Sequence, residues 1–172
     1  MFESPDPSRF LQVTWEMVGE LSRALALRVA REFDPELIVG IARAGVIPGS
    51  TIASILQLDF HSMLVTRRSG GQQVRQRPEI LSAAPRACGG RRVLLVDEIT
   101  TSGDTFRLAL AAVRDAGATD VRTATAFVRP GGYRPDYYAL ETDETIINPW
   151  DRKIFVDGEL VVNPRYEAVL DE

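Results

Sequence analysis

The stretch "RVLLVDEITTSGDT", residues 92–105, runs from four consecutive apolar residues, 93–96, straight into Asp97 and Glu98, and then into a turn rich in hydroxyls. A short, uninterrupted apolar run bounded by polar residues is the mark of a strand covered on both faces. The two acids therefore stand at the carboxyl end of a buried strand, which is where open α/β sheets hold their ligands. Adjacent carboxylates in such a place can accept hydrogen bonds from a vicinal diol, or support Mg2+ that is carried mainly by a phosphorylated ligand. Beyond them, Thr101, Ser102, Gly103, Asp104 and Thr105 lead into the helical pattern "DTFRLALAAVRDAG". Unpaired N–H groups and the positive end of the helix dipole there favour an anion, although a polar turn that merely caps the helix has the same composition.

The flanking sequence has the order of a parallel sheet. Apolar residues recur at helical spacing from Trp15 to Phe33, with Thr14 as cap and Pro35 beyond the end. "ELIVGIA" predicts a buried strand, "RAGVIPG" a turn, "STIASILQ" a helix and "LDFHSMLVT" a second strand. After the strand and helix of the opening stretch, with Gly117 closing the helix, come a strand at "DVRTATAFVR", a turn at "RPGGYRPD" and short strands at "YYALET" and "ETIIN". "KIFVDGELVVN" reads as a hairpin turning on Asp157 and Gly158. Strands alternating with helices imply β-α-β units and an α/β fold with helices on both faces of a twisted sheet. Residues 67–90 contain four glycines and two prolines and read as one long loop.

At 172 residues with 45% hydrophobic content, the chain fits one domain with a substantial core. No segment approaches eighteen uninterrupted apolar residues, and the start lacks the pattern of a signal peptide, so a cytoplasmic protein with no membrane association is expected. One cysteine, Cys88, and one histidine, His61, exclude a disulfide framework, a Cys/His metal site and a histidine triad. The net charge of −4 argues against nucleic acid as a partner. Of the twenty basic residues nineteen are arginine, whose fork geometry suits phosphate and carboxylate.

The opening stretch resembles the phosphoribosyl diphosphate (PRPP) binding motif of type I phosphoribosyltransferases: four apolar residues, two acids, an apolar residue, two variable positions, Ser/Thr, Gly, any residue, Thr. The resemblance covers roughly residues 37–155. It implies the type I phosphoribosyltransferase fold in one domain: a core at about 14–130 and a small hood from about 131–172 with the N-terminus. It also implies that Asp97 and Glu98 hold the ribose hydroxyls and support Mg2+, while Thr100, Thr101, Ser102, Gly103, Asp104 and Thr105 surround the 5'-phosphate. "VGIARAGVIPGS" resembles the family's pyrophosphate loop, with Arg43, Ala44 and Gly45 as the binding residues and Ala44 in place of the usual glycine.

The segment 126–155, with "NPWD" near its end, is similar to the base-binding part of xanthine-guanine phosphoribosyltransferases. By that similarity Arg129 donates to the purine's exocyclic oxygen, Trp150 stacks on the base, and Ile99 lies beside it. From the residue alone, an ordinary core aromatic is the commoner reading of Trp150, and the "NPWD" context is what turns it toward a base. The implied reaction joins PRPP and a 6-oxopurine into a nucleoside monophosphate and pyrophosphate, as in purine salvage, catalysed through Asp97, Glu98 and Arg43 in a homodimer or higher homo-oligomer. One position departs from the pattern: Thr101 stands where 6-oxopurine enzymes carry an aspartate that handles a base proton. A threonine is no general base near neutral pH. Two alternatives follow, a different acceptor base or a PRPP-binding regulator with little turnover. Residues 67–90 match the family's mobile flap, with Arg67, Arg68, Arg75 and Arg77 facing pyrophosphate, a neighbouring subunit or only solvent.

Overall fold

The computed structural model describes residues 6–69 and 73–170, leaving out the side chains of 6–8, 68–69 and 73–76; Arg68 and Arg75 therefore lie outside the described side chains. The strands β1(Asp6–Gln12), β2(Leu37–Ala42), β3(Phe60–Ser69), β4(Gln73–Ile80), β5(Arg92–Thr100), β6(Asp120–Val128), β7(Tyr137–Glu141), β8(Glu144–Ile147), β9(Lys153–Val156) and β10(Glu159–Val162) are joined by α1(Trp15–Glu32), α2(Val46–Leu56), α3(Asp104–Asp115) and a last turn, α4(Glu167–Leu170). Six strands form the main sheet in the order β4-β3-β2-β5-β6-β7. All neighbours are parallel except β3 and β4.

Strand alternation divides the core into two faces. Leu37, Val39, Ile41, Val93 and Leu95 pack with Phe106, Ala109 and Val113 of α3 on one side. Ile38, Leu94 and Val96 pack with Leu25, Ala26 and Val29 of α1 and Ile52 and Ala53 of α2 on the other. The alternation carries the acids with it: Asp97 continues the α3 face of β5, and Glu98 the face of α1 and α2.

The connections locate the crevice. From β2 the chain crosses through α2 to β3 on one side, and from β5 through α3 to β6 on the opposite side and the opposite face. The C-terminal ends of β2 and β5 therefore flank a topological switch point, where such sheets bind ligands.

Three boundaries differ from the sequence reading, each for a local reason. The turn assigned to "RAGVIPG" ends at Gly45, because α2 begins at Val46 with Pro48 in its first turn, where a missing N–H breaks no helical bond. The long loop 67–90 is half sheet: β3 continues to Ser69 and returns as β4, so sequence polarity there marks an exposed antiparallel edge rather than irregular chain. Near its other end, Cys88 is fully buried beneath α3. The N-terminal segment, without an alternating pattern, forms β1 and pairs in parallel with β8, so sequence-distant ends of the chain meet. Thr14 caps α1 as expected, accepting from the Met17 amide. Asp157 and Gly158 turn the β9–β10 hairpin with positive φ at both.

Gly45 fixes the distance between the two halves of the crevice. A Cβ there would stand 2.6 Å from both Ile41 O and Val96 O and 2.7 Å from Asp97 Cα, all backbone atoms. We expect Gly45→Ala to force the β2–α2 loop off the end of β5 and to cost about 2 kcal/mol or more in urea unfolding. Wild-type stability would show that the loop is not held against the acid pair.

Candidate active site

Gly40 of β2 pairs with Val96 of β5, so the chain leaving β2 at Arg43 emerges beside the acids. The Ala42–Arg43 peptide is cis, the Arg43 side chain is exposed, and Gly45 lies on Asp97. Gly45 thereby meets Asp97, with Arg43 two residues before it on the same loop and Glu98 next to Asp97.

Asp97 accepts a 2.8 Å hydrogen bond from the Glu98 amide at Oδ1, yet enclosure of the carboxyl dominates and pushes its pKa from 3.8 up to about 7. The neighbouring Glu98 charge acts in the same direction. Burial also raises Glu98, opposed by a hydrogen bond from the Asn148 amide and reinforced by Asp151. The site therefore holds two acids whose ionisation the protein alone supports poorly.

The turn after β5 is braced from three directions. Gly103 has φ 78°, and a Cβ on it would fall 2.3 Å from the Tyr133 ring, so glycine is required for conformation and for space. Tyr133 donates its amide to Thr101 O at 2.8 Å, and the Arg107 guanidinium lies 5.4 Å from its ring centre. The third brace is Asp104, which receives Arg67 Nη2 at 2.6 Å, Arg107 Nη1 at 2.9 Å and the Ser102 hydroxyl at 2.9 Å. The Ser102 hydroxyl, followed by the two arginines, holds the Asp104 carboxyl below its usual range.

Two residues expected at a phosphate are placed differently. Thr100 is the last residue of β5 and is buried, so the accessible turn begins at Thr101, which is exposed. Asp104 is engaged with Arg67 and Arg107, so its carboxylate organises the cations beside the turn. Sequence reading had placed Arg67 in a loop; on β3 it reaches Ser102 and Asp104 directly.

On the other side of Glu98 lies the segment resembling a base site. Trp150 is half-buried, its ring centre 5.7 Å from that of Trp15, and it lines a narrow cavity with Glu98, Ser22, Pro48 and Phe127. Ile99 and Trp150 pack against the same small cluster, around Val18 and Phe127. Arg129 is buried, and its Nη1 donates to the carbonyls of Thr142 and Glu144, so part of the guanidinium holds the β7–β8 connection. Tyr133 and Asn148 were not singled out from sequence. The only signal for Asn148 was its place in "NPWD".

Residues 14–159 match the family model of the phosphoribosyl transferase domain. The chain belongs to the phosphoribosyltransferase family, whose enzymes are PRPP-dependent transferases. It is 28% identical over 160 residues to a xanthine-guanine phosphoribosyltransferase of Nitratidesulfovibrio vulgaris, covering 89% of this chain and 91% of the relative. A xanthine-guanine phosphoribosyltransferase of Gluconobacter oxydans is 27% identical over 155 residues, with 87% and 89% covered. In structure the chain is similar to a purine phosphoribosyltransferase of Pyrococcus horikoshii, with a TM-score of 0.74, 26% identity, and 87% of this chain and 99% of that one covered. The α/β sheet flanked by helices is the type I phosphoribosyltransferase fold. Among the described residues no helix is long and apolar enough to cross a membrane.

The raised pKa of Asp97 makes a stability prediction. Because the folded state binds this proton more tightly than the unfolded chain, Asp97 weakens the fold increasingly as pH rises from about 4 to about 7, and the deficit is complete above that. We expect Asp97→Asn to raise the melting midpoint at pH 8 and to give a smaller gain at pH 5. A gain independent of pH, or a loss at pH 8, would refute the assigned ionisation.

Proposed function

We propose that the protein transfers 5-phosphoribose from PRPP to a nitrogen of a 6-oxopurine, releasing pyrophosphate, with xanthine, guanine and hypoxanthine as the candidate acceptors. The observation that carries this reading is the position of Gly45 directly on Asp97 at the switch point, which supports reading the β2–α2 loop as a pyrophosphate site beside a ribose site. Relatives named for xanthine and guanine support the choice of base.

In the proposed mechanism the bond from C1' to the pyrophosphate oxygen breaks ahead of attack, its electron pair leaving with pyrophosphate, and a base nitrogen then bonds to C1' as the base gives up its N–H proton to water. Positive charge develops on the ribose ring. Asp97 and Glu98 accept hydrogen bonds from the ribose hydroxyls and place negative charge near that ring, while Arg43 and the amides of Ala44 and Gly45 receive the pyrophosphate. The turn from Thr101 to Thr105 at the start of α3 receives the 5'-phosphate. Trp150 and Ile99 form the base surface, and Arg129 offers a base carbonyl the guanidinium N–H groups left by its two backbone contacts.

Among the described residues no cluster of three or more His, Cys, Asp or Glu side chains could hold a metal by itself. The adjacent Asp97 and Glu98 nonetheless fit Mg2+ delivered with the diphosphate, since that ion commonly takes one or two carboxylates together with substrate phosphates. When bound, the ion would neutralise charge on the leaving pyrophosphate.

Thr101 favours a second reading, in which the acceptor is a base that requires no proton partner at that position. Self-association in the cytoplasm belongs to the proposal as well. Phe155 and Leu160 face each other across the β9–β10 hairpin, 73% and 69% exposed, where a second copy would shield them.

Incubation with PRPP, Mg2+ and single bases, followed by chromatography, tests the reading. We expect consumption of a 6-oxopurine and formation of its monophosphate. PRPP binding without loss of any purine or pyrimidine would favour a regulator instead. Trp150→Ala should raise the KM for the base roughly tenfold or more with little change for PRPP, in proportion to a lost stacking face; equal effects on both would reduce Trp150 to core packing. Thr101→Asp should increase 6-oxopurine turnover, and a decrease would favour the other acceptor chemistry.

A further inference from the structure

Resting on that reading, we infer that Asn148 is a positioning residue that aims Glu98 at the ribose hydroxyls and joins the base segment to the sugar site. Asn148 follows β8 and is 6% exposed. Its Nδ2 donates to Glu98 Oε1, occupying one carboxylate oxygen and fixing the orientation of the other. Reversing the amide would set an acceptor against a carboxylate, so the hydrogen bond has one usable direction.

The other end of the amide gives the reason to read this as functional. Asn148 Oδ1 is buried and has no hydrogen-bond partner among the described residues. A buried, unsatisfied acceptor weakens a fold, and an apolar side chain of the same volume would remove that cost. What the asparagine supplies in return is the donor to Glu98. That acid, near the end of β5 and facing α1, has no other donor from a side chain among the described residues.

The backbone of Asn148 ties the same residue to the base segment. Its carbonyl accepts the Asp151 amide at 3.0 Å, closing the turn that carries Trp150. That turn is itself anchored: Asp151 receives the Tyr166 hydroxyl at 3.0 Å and, through its carbonyl, Asn163 Nδ2 at 2.8 Å. Just before it, the Val13 amide donates to Ile147 O at 2.9 Å. Asn148 thus stands on a framework held at both ends, as a residue that orients another must. Any shift of the turn that repositions Trp150 also moves the donor on Glu98.

The test compares guanosine 5'-monophosphate with its 2',3'-dideoxy analogue by calorimetric titration of the wild-type protein and Asn148→Leu. The wild-type protein should prefer the ribonucleotide. In Asn148→Leu that preference should shrink roughly tenfold or more, the scale of a hydrogen bond to a charged group, while affinity for the dideoxy analogue changes little. A merely structural residue would weaken both nucleotides together, and an unchanged preference or a common loss overturns the inference. If the wild-type protein binds neither nucleotide, the transferase reading fails with it; binding without ribose preference removes the role of Glu98 alone. Should Asn148→Leu not fold, Asn148→Ala, smaller and without a donor, takes its place with the same expectations.

Discussion

The structure depends on two neighbouring carboxylates placed where the protein does not favour their charge. Asp97 and Glu98 lie near the end of β5, after four residues that are completely buried, and enclosure raises the pKa of both. A fold selected only for stability would end this strand on apolar or neutral groups. The surroundings instead arrange around the acids without neutralising them: the Glu98 amide on Asp97, the Asn148 amide on Glu98, and no arginine paired with either among the described residues. Such a pair is suited to receive its counter-charge and hydrogen-bond donors from a ligand, which the sugar hydroxyls, Mg2+ and the developing positive charge of the proposed reaction would supply.

The strand geometry gives the pair a division of labour. Because successive side chains point to opposite faces, Asp97 turns toward the side of α3 and Glu98 toward α1 and α2. One acid therefore adjoins the Gly45 loop, and the other adjoins Trp150 and Asn148. A single ligand lying across the C-terminal part of β5 can touch the Gly45 loop and the Trp150 ring at once. No separate linker is needed, since the pleat itself separates the two environments.

What could be read from sequence was whatever depends on neighbouring residues. The apolar run before Asp97, the Thr14 cap, the Asp157-Gly158 turn and the alternation of strands and helices are local patterns, and the structure reproduces them. Pairings across the chain were not legible. β1 has no pattern of its own because its partner is 134 positions away in the Arg9–Asp143 contact, and β4 looked like loop because it is the outermost strand of the sheet. The candidate site divides in the same manner. The motif residues announced themselves by spacing, whereas Asn148, Tyr133 and the reach of Arg67 to Asp104 follow from tertiary placement alone.

Asp104 shows how tertiary placement changes the meaning of a motif residue. At the start of a helix an aspartate complements the dipole, but beside a phosphate it would repel the ligand. Its two arginine partners resolve the conflict, since Arg67 and Arg107 occupy the carboxylate oxygens and leave a surplus of positive charge at the turn. Arg67 comes from β3, the first strand of the edge hairpin, so the position of that hairpin and the electrostatics of the turn after β5 are linked through one side chain. Any ligand that draws Arg67 from Asp104 toward its own phosphate would pull on the middle of the β3–β4 hairpin. The charge that cancels Asp104 is thus the same charge that can connect phosphate binding to the edge of the sheet.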